Sequence, residues 1–139
     1  MKIKRVVIFT DGAAAPNPGP AAIGATIKDE RGRLITSISQ PIGRATNNQA
    51  EYRAIIAALE NAIRLGASQI DICSDSELVV KQINGQYRVK NAALKPLYQK
   101  VKQQQGSLKG FTITHIPRQQ NQEADNLANK ALQWPLAMP

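Results

Sequence analysis

Over residues 48–65, Tyr52, Ile55, Ile56, Leu59, Ala62 and Ile63 fall three and four positions apart, a spacing unlike anything before them. That interval puts them on one face of a helix, with Thr46 or Asn47 available to cap its start and Gly66 to end it. Ahead of the helix lie three short apolar or alternating runs, residues 3–10, 23–28 and 34–41. They are separated by the turn segments AAAPNPGPAA and DERGR. Short runs bounded by turn residues are strands, and three in succession predict an antiparallel meander. Beyond Gly66 the pattern gives a strand over 69–74, a short helix over 76–83, a helix over 91–105, a strand over 111–116 and a helix over 121–132. Pro96 fits the third helix only if that helix starts late. Residues 133–139 are read as a tail, in which Trp134 is an apolar anchor or, alternatively, a base-stacking group. The order βββαβααβα predicts an α/β fold, a mixed sheet with helices packed on it. A length of 139 residues suits one domain spanning 1–139.

Four acids occupy four separate places in that order: Asp11 ends the first strand, Glu51 lies in the first turn of the long helix, Asp75 ends the fourth strand and Asp125 lies near the start of the last helix. Ligands of open α/β sheets bind at the carboxyl ends of strands. A crossover through the long helix would make strands one and four parallel neighbours, with Asp11 and Asp75 side by side. Crowded carboxylates raise one another's pKa, whereas hard divalent cations, Mg²⁺ above all, take such oxygens as ligands. If the fold gathers the four, the cluster implies a cation.

Charge is segregated along the chain. Residues 78–122 contain no Asp or Glu but carry Lys81, Arg88, Lys90, Lys95, Lys100, Lys102, Lys109 and Arg118. Residues 1–77 hold nine cations against eight acids, and residues 123–139 one against two, so the net charge of +8 resides in the middle segment. A basic surface beside an acidic site is the footprint of nucleic-acid binding; the alternative is a solvated basic face with no partner. Aromatics at 4% argue against binding through many stacked rings. A hydrophobic content of 42% sets disordered and fibrous classes aside. No apolar run is long enough to span a bilayer, and MKIKRVVIFTDG turns acidic too early for a secretory signal, so a cytoplasmic protein is expected. Cys73 is the sole cysteine, which rules out an internal disulfide and a cysteine-based metal site.

The segments TDGAAAPNPGPAAIGA, TNNQAEYRAIIAAL, CSDSELVVKQINGQYRVKN and HIPRQQNQEADNLANKAL, in this order and spacing, resemble type 1 ribonuclease H over nearly the full length. The resemblance implies the ribonuclease H-like fold, a five-stranded mixed sheet flanked by helices, and hydrolysis of the RNA strand of RNA/DNA hybrids to 5′-phosphate and 3′-hydroxyl products. It implies that Asp11, Glu51, Asp75 and Asp125 are the catalytic metal ligands for two Mg²⁺, with Mn²⁺ a possible substitute. In that scheme Asp11 bridges the two ions and Asp125 holds the one that activates water. It further implies that Gly12, Asn17, Asn47, Asn48 and Gln49 line the minor groove beside the scissile strand, where a 2′-hydroxyl distinguishes RNA from DNA. Thr46 would hold a DNA-strand phosphate; for Thr46 and Asn47 helix capping is the alternative, and the two roles are compatible.

The chain also departs from the family pattern. NGQYRVKN joins two helices directly and leaves no room for the basic handle many members carry, so hybrid binding is expected to rest on dispersed cations, chiefly Lys81, Arg88, Lys90 and Lys95. His115 has the spacing of the auxiliary histidine many members place before the last carboxylate, but FTITHI reads as strand, and alternation with Phe111 and Ile113 favours a structural role. Arg118 is then the alternative auxiliary group, acting by charge. Glu77 is read as a first-turn acid of the short helix and not as a ligand. A hybrid- or double-stranded-RNA-binding module with little turnover, and a ribonuclease H domain of a retroelement, are the competing readings. The intact carboxylate set favours the enzyme, and Met1 with a compact domain favours a free-standing, monomeric protein. Without the handle, cleavage of double-stranded RNA remains open as a side activity.

Overall fold

A computed structural model describes residues 4–137, and the side chains of residues 4–133. Its elements follow the predicted order: β1 (Arg5–Ala14), β2 (Gly19–Lys28), β3 (Leu34–Ala45), α1 (Asn47–Arg64), β4 (Gln69–Ser74), α2 (Glu77–Ile83), α3 (Lys95–Gly106), β5 (Gly110–His115) and α4 (Gln122–Ala137). A single 3₁₀ turn, Arg118–Gln120, joins β5 to α4 and has no counterpart in the sequence reading. The five strands form one sheet in the order β3-β2-β1-β4-β5. β1, β2 and β3 pair antiparallel, while β4 pairs parallel with both β1 and β5. The sheet is therefore mixed, and strands one and four are the parallel neighbours that a crossover through α1 requires.

The core lies between the sheet and α1, with α2 and α3 completing it. Val6 and Ile8 from β1, Ile70 and Ile72 from β4, Tyr52, Ile55 and Leu59 from α1 and Val79 and Ile83 from α2 are all fully or almost fully buried. Each such aliphatic side chain contributes roughly 1.5 to 3 kcal/mol by leaving water. The Tyr52 hydroxyl donates to Gln82 Oε1 at 2.7 Å, so its polar tip is satisfied inside this core. α4 packs across β1, β2 and β3.

Element ends differ from the sequence reading for local reasons. β1 runs past Asp11 to Ala14, because Gly12, Ala13 and Ala14 still pair with β2 after the parallel partner β4 has ended at Ser74. The Pro-rich turn shrinks accordingly to residues 15–18. β3 continues through Pro41 to Ala45, which an edge strand tolerates because a missing N–H there breaks no ladder. α3 starts at Lys95, four residues later than read, placing Pro96 in its opening positions. α4 extends to Ala137, so the segment assigned as a tail from residue 133 is helical over most of its length; the side chain of Trp134 lies outside the described residues. Residues 84–94 join α2 to α3 with no intervening helix, as the absence of a handle requires.

Candidate active site

Parallel register brings the first two acids together. The last β1–β4 pair is Thr10 with Ser74, and Asp11 and Asp75 are the next residues on each chain. Asp11 is not the end of its strand but the first residue of β1 that has outrun its parallel neighbour. Glu51 comes from α1 and is the fifth residue of that helix, so it stands beyond the first turn in which it was expected. It is 8% exposed, and its Oε1 accepts the Gly12 N–H at 2.6 Å. A β-carbon on Gly12 would collide with the Ala50 carbonyl and the Glu51 amide, so only glycine lets β1 and α1 approach this closely.

Carboxylate oxygens of Asp11, Glu51 and Asp75 lie within 4.8 Å of one another. Asp125, in the first turn of α4, borders the same cleft of about 330 Å³ together with Asn47, Arg118 and Asn129. α4 can lie this low because Gly24 of β2 is bare: a β-carbon there would strike the Ala124 carbonyl and the Ala128 amide. A larger groove of about 730 Å³ lies along Tyr87, Arg88, Lys95 and Tyr98. It is lined by no acid, so the chemistry belongs to the smaller cleft.

The acids alter one another. Burial, the charge of Asp75 and then the hydrogen bond and charge of Asp125 push the Asp11 carboxyl up to about 8, against a smaller opposing pull from Arg118. Burial, followed by the charges of Asp11 and Asp75, holds Glu51 well above the usual carboxylate range despite the Gly12 N–H. An all-oxygen donor set with two buried acids that resist ionising alone fits a hard divalent cation, whose charge would let all of them ionise.

These shifts set a pH dependence. Folded Asp11 keeps its proton from the ordinary value of 3.8 up to about 8, so across that window the unfolded chain binds fewer protons and the cation-free fold loses stability as pH rises. A divalent cation held by these acids would remove the penalty, so the effect of added Mg²⁺ on Tm is expected to grow between about pH 5 and pH 8. Thermal melts with Mg²⁺ or chelator check this; a gain that stays constant with pH contradicts it.

Among the other residues singled out from sequence, the structure separates engaged groups from free ones. Asn17 Oδ1 accepts the Asn47 N–H at 3.0 Å, and Asn47 Oδ1 accepts the Ala14 N–H at 2.7 Å, which pins the 15–18 turn to the start of α1. Thr46 and Gln49 form a reciprocal capping box, at 3.1 and 2.8 Å, so capping is what Thr46 does here; Asn47 is the first helical residue and not the cap. Asn48 is half-buried beside them. Lys81 donates to Glu77 at 3.1 Å and to the Tyr87 hydroxyl at 3.3 Å, which ties up its ammonium, while Arg88 and Lys90 are exposed on the 84–94 link. Glu77 opens α2 and pairs with Lys81, as a first-turn acid should.

The two auxiliary candidates part company. Arg118 lies 3.7 Å from Asp125 and borders the cleft. His115 is the exposed last residue of β5, aligned with Ser74 but outside the cleft lining. Alternation places it with buried Ile113, yet His115 is itself exposed and so has no place in the core. Sequence reasoning missed Asn129 and Asn121. Asn129, one helical turn after Asp125, was within reach of an i,i+4 argument; Asn121 carried no such signal.

Known proteins resemble this chain in sequence and fold. The reverse transcriptase-like family profile matches residues 9–131. The ribonuclease HI of Halobacterium salinarum is 42% identical over 92% of this chain, which spans 64% of that protein's length. A bifunctional protein of Mycobacterium tuberculosis is 40% identical over 92% of this chain, and here the chain spans 35% of the relative. The crystal structure of LC11-RNase H1 in complex with RNA/DNA hybrid superposes with a TM-score of 0.90 at 39% identity, covering 95% of this chain and 99% of that one. With the sheet order, the missing handle and the gathered acids, these likenesses establish that the chain belongs to the type 1 ribonuclease H family.

Proposed function

We propose that this protein is a divalent-metal-dependent endonuclease that cuts the RNA strand of RNA/DNA hybrids, leaving 5′-phosphate and 3′-hydroxyl ends. The observation that carries the reading is the convergence of Asp11, Glu51 and Asp75 oxygens within 4.8 Å, with Asp125 on the same cleft. The likeness to LC11-RNase H1, solved with a hybrid, supports the substrate class.

Asp11, Glu51, Asp75 and Asp125 would hold two Mg²⁺, or Mn²⁺ in their place. Bound there, the ions supply Lewis acidity for a water nucleophile and for the departing 3′ oxygen. Asp11 is central to the set, since the charges of both Asp75 and Asp125 bear on it. Gly12 fixes the Glu51 carboxylate through its N–H and lines the cleft that would take the scissile strand. Asn47, with Asn17 holding its backbone, presents the start of α1 to the RNA minor groove, next to Asn48 and Gln49. Arg118 offsets negative charge beside Asp125 and is preferred over His115 as the auxiliary group. Thr46 would contribute to a DNA-strand phosphate site by donating its hydroxyl proton, because in the cap its Oγ1 only accepts, from the Gln49 N–H. The protein acts as a monomer in the cytoplasm, where its lone thiol fits a reducing compartment.

Arg88 and Lys90, with Lys81 behind them, supply phosphate contacts in place of a handle. Each phosphate neutralised releases counterions, so affinity for hybrid is expected to fall about 10- to 100-fold between 50 and 200 mM salt if a few contacts form. Arg88→Ala with Lys90→Ala should weaken binding and flatten that slope; an unchanged slope removes both residues from the interface. Cleavage assays on a hybrid, a double-stranded RNA and a DNA duplex of one sequence test the substrate assignment. Hybrid cleavage with DNA untouched is expected, and preferential cleavage of double-stranded RNA would overturn it.

A further inference from the structure

We propose that Asn121 is the positioning residue that sets Asp125 against Asp11, an inference that rests on the metal-dependent reading above. The residue is 1% exposed and precedes α4 directly. Its Nδ2 donates to the Thr10 carbonyl at 2.9 Å, linking it to the residue immediately before Asp11. Its own carbonyl accepts the Asp125 N–H at 3.0 Å, and its N–H donates to the Arg118 carbonyl at 2.9 Å. Three bonds from one residue thus tie together the strand that carries Asp11, the 3₁₀ turn that carries Arg118 and the helix that carries Asp125.

Among the described residues, two other side-chain links hold α4 to the sheet. Ser39 donates to the Leu127 carbonyl at 2.6 Å, and Lys28 pairs with Glu123 at 2.6 Å. Both are exposed, and neither reaches β1 beside the acids. Asn121 is buried and fixed to the backbone next to Asp11, so it determines how far the Asp125 carboxylate stands from its partners. Asn121 touches no reacting atom, and its effect passes through Asp125.

The test is a double-mutant cycle on the full chain with two readouts, hybrid cleavage and the rise in Tm produced by Mg²⁺. Asn121→Leu removes the amide donor at similar volume; Asn121→Ala removes it without adding bulk or charge. Loss of an outer-shell bond of this kind is expected to lower kcat about 10- to 100-fold and to raise the Mg²⁺ concentration for half-maximal effect by a similar factor. KM for the hybrid should stay within about threefold, because no substrate contact is lost. Adding either substitution to Asp125→Ala should cost nothing further, since coupled residues are non-additive. Ser39→Ala, which loosens α4 elsewhere, should leave kcat and the Mg²⁺ requirement unchanged.

Additive losses in the cycle, or an equal loss from Ser39→Ala, would overturn the proposal, and so would failure of both Asn121 variants to fold. If the unsubstituted protein cuts no hybrid, the proposed function fails, while the Mg²⁺ dependence of Tm still decides whether Asn121 acts through Asp125.

Discussion

Asp11→Asn is expected to lower hybrid cleavage on the order of a thousandfold while raising the Tm of the cation-free protein at pH 8. The first effect follows from removing the central acid of the site, because metal-held charge supplies several kcal/mol to the transition state and each 1.4 kcal/mol is about tenfold in rate. The second follows from the same crowding. Asp11 is 6% exposed and resists ionisation up to about 8, so at that pH the folded chain either keeps a proton that the solvent would take or bears an unfavourable charge. An amide of the same shape has no such penalty, and a gain of roughly 1 to 3 kcal/mol is expected without cation. With Mg²⁺ present the order should reverse, since the wild-type site then gains a ligand that the variant binds poorly. A variant that kept normal turnover would refute the role given to Asp11. A variant less stable than wild type without cation would refute the electrostatic account.

Gly12→Ala should have the second largest effect. The added methyl meets the α1 backbone at Ala50 and Glu51, and backbone cannot rotate aside as a side chain can. Either β1 or α1 must move, and overpacking of this kind costs about 1 to 3 kcal/mol of stability. The catalytic loss should exceed what the stability loss explains, because the displaced bond is the one that orients Glu51. Cleavage is expected to fall about 100-fold at temperatures where the variant is fully folded, a displacement of about 1 Å being enough for that. Near-normal activity in a folded variant would show that the close approach is packing alone.

Much of this site was legible in the sequence because strands and helices have different periods and acids stand out at their ends. The spacing of Tyr52, Ile55 and Leu59 identified α1, and once β1 and β4 were parallel, Asp11 and Asp75 had to be neighbours. Glu51 was placed one residue too early in the helix because the capping box of Thr46 and Gln49 starts α1 at Asn47, which leaves Glu51 in fifth position, just past the first turn. The end of β1 was misread because a strand of a mixed sheet can lose one partner and keep the other, and pairing is not written in one strand's own residues. His115 looked structural because alternation assigns a face but not whether anything covers it. Asn121 was invisible for a related reason: its partner Thr10 is 111 residues away, and only the fold creates that bond.

Four acids, from β1, α1, the residue after β4 and α4, are proposed to form one cation-dependent nuclease site. Cleavage of a hybrid labelled at the 5′ end of its RNA strand, followed across a titration of Mg²⁺ against chelator with the product ends mapped, tests this most directly. Cutting confined to the RNA strand, abolished by chelator, restored by Mg²⁺ or Mn²⁺ and leaving 3′-hydroxyl and 5′-phosphate ends is the expected result. Cutting that survives chelation, or that leaves 2′,3′-cyclic phosphate ends, would contradict it.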